Sequence, residues 1–221
     1  MHPDLAHIDA WLFDLDNTLY PKSANLFAQM NDRIGAYVAR LLDLDPQAAH
    51  EVQKGYFIDH GTTLAGLMAD YGVDPYHYLA DVHDIEMDVL EHNAPLAAAI
   101  AKLPGRKLVF TNADAPYAEK VLHRLGILDQ FEAIHDVHAS DYHPKPHPNA
   151  YRSVCDAYQI DPTTALFVED MARNLAPAKA IGMTTVWVDN GSEQAPDEDR
   201  SFIDFITHDI CHWLTSIQEQ P

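Results

Sequence analysis

Short apolar runs alternate along this chain with longer amphipathic stretches, and the two periods mark strands and helices. Ala10-Trp11-Leu12-Phe13 is an unbroken apolar run closed by Asp14. It predicts a buried strand with an acidic carboxyl end. Between Ser23 and Leu42, Leu26, Met30, Ile34, Val38 and Leu41 recur every three or four residues, as on one face of a helix. Asp45-Pro46 and Asp74-Pro75 each read as a cap followed by a first-turn proline, opening two more helices. Thr62 or Thr63 caps another that runs through Tyr71. The segment from about Lys22 to His92 therefore reads as an all-helical block.

After Pro95 the pattern changes. Apolar runs at 107–110, 133–135, 165–168 and 184–188 predict strands, the second of them weaker. Helical segments at 116–125, 149–158 and 174–181 separate them, with Gly126 and Gly182 as stops. Residues 191–199 are polar and rich in turn formers, which predicts a loop. Residues 201–221 give a short strand and a last helix. Strands alternating with helices predict an α/β fold: a doubly wound, Rossmann-like parallel sheet core with an inserted all-helical cap. The expected boundaries are 1–20 and 93–221 for the core and 21–92 for the cap. In such sheets the carboxyl ends of the strands share one edge. Asp14 and Asp16, Thr111 and Asn112, and Glu169 and Asp170 should converge there.

Charge narrows the choice of ligand. The chain has 14 Lys and Arg against 34 Asp and Glu, a net charge of −20. A nucleic-acid backbone or an anionic membrane would be repelled, so neither is expected as a partner. A small phosphorylated metabolite would need concentrated local positive charge, from a metal ion and a few lysines. Cys155 and Cys211 match no zinc or redox spacing and read as two reduced thiols. Residues 1–9 lack a signal-peptide pattern, and no apolar run reaches membrane-spanning length. These features predict a cytoplasmic protein, monomer or homodimer.

Four elements carry the candidate chemistry. They are Asp14-Leu15-Asp16-Asn17-Thr18 after the first strand, Thr111 after the second, Lys145 between Pro144 and Pro146, and Glu169-Asp170 after a later strand. Singly, each has an ordinary reading as a turn, cap or surface residue. In this order they resemble the four motifs of the haloacid dehalogenase superfamily, and the resemblance covers nearly the whole chain. It implies magnesium-dependent phosphoryl transfer. Asp14 would be the nucleophile and Asp16 the general acid and base. Thr111, Asn112 and Lys145 would bind the phosphate, with Lys145 offsetting charge. Mg2+ would be held by Asp14, the backbone carbonyl of Asp16, and Asp170, while Glu169 holds a coordinated water. These assignments make physical sense, because phosphoryl transfer needs positioning and neutralisation of spread negative charge.

A finer resemblance rests on Phe13 to Pro21, Gly61-Thr62-Thr63-Leu64-Ala65-Gly66-Leu67 and Val82-His83-Asp84-Ile85. Together they look like the pyrimidine 5′-nucleotidase branch, which implies hydrolysis of nucleoside monophosphates such as UMP or CMP. Tyr56, His60, Thr62 and Thr63 are then the candidates for the base or sugar; Gly-Thr-Thr also suits an ordinary helix cap. Arg173 and Asn174 are placed to orient the acidic pair. His135, His138, His143 and His147 match no zinc spacing and read as loop and strand-edge histidines. Rival readings are a 2-haloacid dehalogenase, which needs neither Asp16 nor the acidic pair, and a phosphonatase, for which Lys54 is the cap lysine available. A phosphomutase, a phosphatase of sugar phosphates or phosphoglycolate, a signalling receiver domain, in which the acidic pair would precede the acceptor aspartate, and a non-catalytic binding protein complete the set.

Overall fold

The computed structural model describes residues 2–191 and 199–219, so most of the loop expected at 191–199 lies outside the described residues. Among the described residues six strands form one sheet: β1 (Ala10–Phe13), β2 (Arg106–Phe110), β3 (Ala133–His135), β4 (Ala165–Glu169), β5 (Thr184–Val188) and β6 (Phe205–Thr207). Their order is β3-β2-β1-β4-β5-β6, and every neighbouring pair is parallel. The chain builds outward from β1 on one side and returns to its other side at β4. That reversal is the switch point at which open α/β sheets place their ligands. Phe13 pairs with Val109 on one side and Val168 on the other, so β1, β2 and β4 end level.

The apolar runs are continuous because both sheet faces are covered. Side chains still alternate. Trp11, Phe13, Val109 and Val168 pack on one face, against helices α5 (Ala94–Ala101), α6 (Ala115–Leu125) and α9 (Ile210–Glu219). Leu12, Leu108, Phe110 and Phe167 pack on the other, against α7 (Pro148–Tyr158) and α8 (Leu175–Ala180). Helix α5 has no sequence signature of amphipathicity, being almost wholly alanine and aliphatic. Asn93 caps it through the Leu96 N–H.

The helices between β1 and β2 are α1 (Leu26–Leu42), α2 (Pro46–His60), α3 (Thr63–Tyr71) and α4 (Pro75–Val82). The expected caps Asp45, Thr62 and Asp74 all accept helix N–H groups. Leu26, Met30 and Val38 are buried as the periodicity of α1 predicts, but Leu41 is 42% exposed and Tyr37 takes its place in the interior. Tyr37 and Tyr78 meet edge to face at 4.9 Å beside Val38, Leu64, Leu67 and Leu79. Gly66 admits the ring of Tyr56: a Cβ there would lie 2.1 Å from Tyr56 Cδ1 and 2.8 Å from its Cβ. Gly66→Ala is expected to cost about 1–3 kcal/mol through overpacking. A urea midpoint equal to that of the parent would contradict this packing. Among the described residues no helix is long and apolar enough to cross a membrane.

Candidate active site

One ammonium joins three strand ends. Lys145 Nζ donates to Asp14 Oδ1 at 2.7 Å, to Glu169 Oε2 at 2.7 Å and to the Phe110 carbonyl at 2.8 Å. Those groups close β1, β4 and β2. Lys145 is 1% exposed, and its Nζ sits 5.0 and 5.1 Å from the ring centroids of Phe110 and Phe167. Burial works against the charged ammonium, but Asp14 and Glu169 outweigh it and hold the lysine above its ordinary pKa. Asn112 aims the loop that delivers it. Its amide donates to the Lys145 carbonyl at 3.1 Å and accepts the Lys145 N–H at 2.8 Å. Asn112, a phosphate-binding candidate from sequence, has its side-chain amide engaged by the Lys145 backbone.

The Asp14 and Glu169 carboxylates each have their own orienting partners. Asp14 Oδ2 accepts from Thr18 Oγ1 at 3.1 Å. Glu169 Oε1 accepts from Asn174 Nδ2 at 2.9 Å and from the Met171 N–H at 3.3 Å. The Asp170 carbonyl accepts from Trp187 Nε1 at 2.9 Å. Burial, reinforced by Asp14, pushes the Glu169 carboxyl well above the usual carboxylate range. Asp14, Glu169 and Asp170 are all buried, with one oxygen of each within 4.8 Å of the others. An all-oxygen donor set of this kind suits a hard divalent cation such as Mg2+.

Asp16 stands outside that group. Its Oδ1 accepts from Tyr117 OH at 2.7 Å and from Tyr20 OH. Burial, then the neighbouring Asp14, raises its carboxyl above the ordinary value, which helps it keep a proton to give. Thr111 is 1% exposed, and its Oγ1 accepts the Ala113 N–H at 3.0 Å. That leaves the hydroxyl proton for a further acceptor.

The cap candidates are mostly engaged within the helical block. Tyr56 OH donates to Asp70 at 2.7 Å, Thr62 Oγ1 accepts the Ala65 N–H at 3.2 Å, and Thr63 Oγ1 donates to the Gln53 carbonyl at 3.3 Å. His60 lines a cavity of about 410 Å³, shared with Gly61, Pro144, Pro146 and Arg173. A second cavity of about 470 Å³ is lined by His83, Asp114 and Tyr117. Neither is lined by Asp14 or Asp170, which are 6% and 3% exposed. The acidic cluster is thus covered, with one cavity reaching the Lys145 loop and the other the Asp16 side. Arg173 lies over the Phe57 ring at 4.1 Å, and Lys22 donates to the Gly191 carbonyl at 2.6 Å. Lys54 is exposed. His135 is buried against Ser153, His138 stacks on Tyr76, and His143 faces His147. None belongs to the metal-capable group among the described residues. Sequence reasoning missed Tyr20 and Tyr117, which look like core aromatics; Tyr20 stands four residues after Asp16, the one spacing that could have flagged it.

A family model described as haloacid dehalogenase-like hydrolase matches residues 8–182. Phosphate metabolism protein 8 of Saccharomyces cerevisiae is 25% identical over 197 residues, 82% of this chain and 61% of that protein. The chain therefore spans about three-fifths of that relative's length. The glyceraldehyde 3-phosphate phosphatase of Pyrococcus furiosus is 25% identical over 98% of this chain and 95% of its own. Among solved structures, a HAD phosphatase from Thermococcus onnurineus superposes with a TM-score of 0.63 at 17% identity, covering 96% of this chain and 98% of its own. The L-2-haloacid dehalogenase of Xanthobacter autotrophicus does so at 0.55 and 18% identity, covering 97% and 100%. At these identities the superpositions speak for the fold alone.

Proposed function

The chain belongs to the haloacid dehalogenase-like hydrolase family, and from that premise we propose a Mg2+-dependent phosphatase of small phosphorylated metabolites that works through an aspartyl-phosphate on Asp14. The observation that carries this reading is the buried Asp14–Lys145–Glu169–Asp170 cluster, with one oxygen of each carboxylate within 4.8 Å of the others. Asp14, Asp170 and the Asp16 carbonyl would hold the ion, with Glu169 fixed beside them. When bound, the ion supplies neutralisation of the phosphoryl and carboxylate charge. Asp14 attacks phosphorus as the bond to the leaving oxygen breaks, and Asp16 gives that oxygen its proton. Asp16 then takes a proton from the water that attacks phosphorus, the bond to Asp14 breaks, and phosphate leaves. Lys145 keeps the Asp14 carboxylate in one orientation and adds positive charge. Thr111 donates its hydroxyl to a phosphoryl oxygen. Residues 21–92 form the cap that selects the leaving group. A dehalogenase would use neither Asp16 nor the acidic pair, and both are built into this site. Two free thiols suit a reducing cytoplasm.

For the substrate, the branch resemblance supports pyrimidine nucleoside 5′-monophosphates. The names of similar proteins favour a second reading, a sugar or polyol phosphate: one is a glyceraldehyde 3-phosphate phosphatase and another a validoxylamine A 7′-phosphate phosphatase. Phosphate release with Mg2+ or EDTA, over UMP, CMP, sugar phosphates and phosphoglycolate, separates the two. UMP and CMP are expected to turn over fastest, and only with Mg2+. Turnover of sugar phosphates without nucleotides would transfer the assignment to the second reading. No release from any monoester would end the phosphatase reading.

A further inference from the structure

We propose that Tyr117, together with Tyr20, is a positioning residue for Asp16, and that the pair makes Asp16 Oδ2 the oxygen that carries the proton to the leaving group. The proposal rests on the phosphatase reading and adds residues that the four motifs do not contain.

The geometry is specific. Both phenols donate to the same atom, Asp16 Oδ1, Tyr117 from 2.7 Å, and the two hydroxyls are 3.4 Å apart. An aspartate side chain that accepts a single bond can still pivot between rotamers; two donors from separate elements restrain it to one. An oxygen accepting from two O–H groups is also a poor place for a third proton. A protonated Asp16 therefore carries its hydrogen on Oδ2. As the bond from phosphorus to the leaving oxygen breaks, that hydrogen passes to the leaving oxygen. The carboxylate left behind keeps both phenol bonds at Oδ1 and accepts the proton of the incoming water at Oδ2.

Tyr117 is itself braced from the helical block. Its ring stacks on that of His83 at 4.4 Å with an interplanar angle of 22°. His83 follows α4, and its Nδ1 lies 2.8 Å from Asp114 Oδ1. The same Asp114 oxygen accepts the Tyr117 N–H at 3.2 Å and caps α6. Tyr117 is 1% exposed and Tyr20 2%. A continuous packed column thus runs from the block, through His83 and Tyr117, to the acid. Packing alone would be served as well by phenylalanine at 117; only the hydroxyl reaches Asp16.

Tyr117→Phe keeps the ring and removes that hydroxyl. The test compares kcat/KM, which reads the steps through phosphorylation of Asp14, on two esters. p-Nitrophenyl phosphate loses a phenolate that needs no proton; a simple alkyl phosphate loses an alkoxide that does. The expected result is a loss of about 10- to 100-fold on the alkyl ester and less than about 3-fold on the aryl ester, a difference that a structural defect would not produce. In an Asp16→Asn background, the same substitution should add nothing further on the alkyl ester. Equal losses on both esters, no loss on either, or a full additive loss in the Asp16→Asn background would overturn the proposal. A parent protein inert toward both esters would end the phosphatase reading instead, and the proposal with it.

Discussion

Asp14→Asn is expected to abolish phosphate release, with kcat falling by about 10⁴-fold or more, while the fold survives intact. The amide keeps the shape of the carboxylate: its one oxygen can still accept from Lys145, and its NH2 can donate to Thr18 Oγ1 with that bond reversed, so neither partner need be stranded. It has no negative charge with which to attack phosphorus, and the covalent route closes. Stability should move the other way. Asp14 is one of the charges that push Glu169 upward, and removing it relieves repulsion in a buried site. In EDTA the urea midpoint of the variant should equal or exceed that of the parent. Measured together, activity and midpoint separate a lost nucleophile from a lost fold. Substantial residual turnover would mean that another group attacks.

Lys145→Met should produce the largest effect on stability. It keeps the length of the side chain but strands Asp14 and Glu169 without their shared cation. Removing one partner of a buried ion pair costs about 3–5 kcal/mol. The pH dependence follows from Glu169. Its pKa in the folded protein already stands well above the ordinary 4.5, through burial and Asp14, and rises further without the lysine. A carboxyl whose folded pKa is raised stabilises the fold below its unfolded value, and that stability is lost as pH rises through the folded value. The deficit of the variant should therefore be large at neutral pH in EDTA and shrink as pH falls toward 4.5. Saturating Mg2+ should recover part of it by binding the folded state. Urea unfolding at both pH values, with EDTA or Mg2+, checks each point. A methionine variant as stable as its parent at neutral pH in EDTA would show that the lysine does not neutralise this cluster.

The parts of the site readable in sequence are those set by strand ends. An apolar run that stops at Asp14, and another that stops at Glu169-Asp170, place carboxylates at one sheet edge because parallel strands of similar length end level. Lys145 was readable through its flanking prolines and its place in the motif order, although it reaches the site from a loop. What was not readable depends on contacts between distant segments. Asn112 looks like one more strand-end polar group, and only the fold shows its amide clamped on the Lys145 backbone. Tyr117 reads as a core position of an amphipathic helix, which it is, and its hydroxyl happens to end on Asp16. Helix α5 escaped because alanine-rich apolar sequence has no polar face to give it a period. Leu41 fitted the spacing of α1 yet stays exposed, since the neighbouring helices cover the face of Tyr37 and Val38 instead. Tyr56, Thr62 and Thr63, ligand-contact candidates from sequence, each have a hydrogen-bond partner inside the helical block that only the fold reveals.

The most direct measurement is a crystal structure grown with Mn2+ in place of Mg2+, with anomalous differences collected at the metal's absorption edge. A single peak between the side chains of Asp14 and Asp170, with the Asp16 carbonyl at its side and Lys145 still on Asp14, is the expected result. A protein saturated with Mn2+ whose peak lies elsewhere, or whose Asp14 and Asp170 remain unoccupied, would contradict a metal-assisted aspartyl-phosphate enzyme.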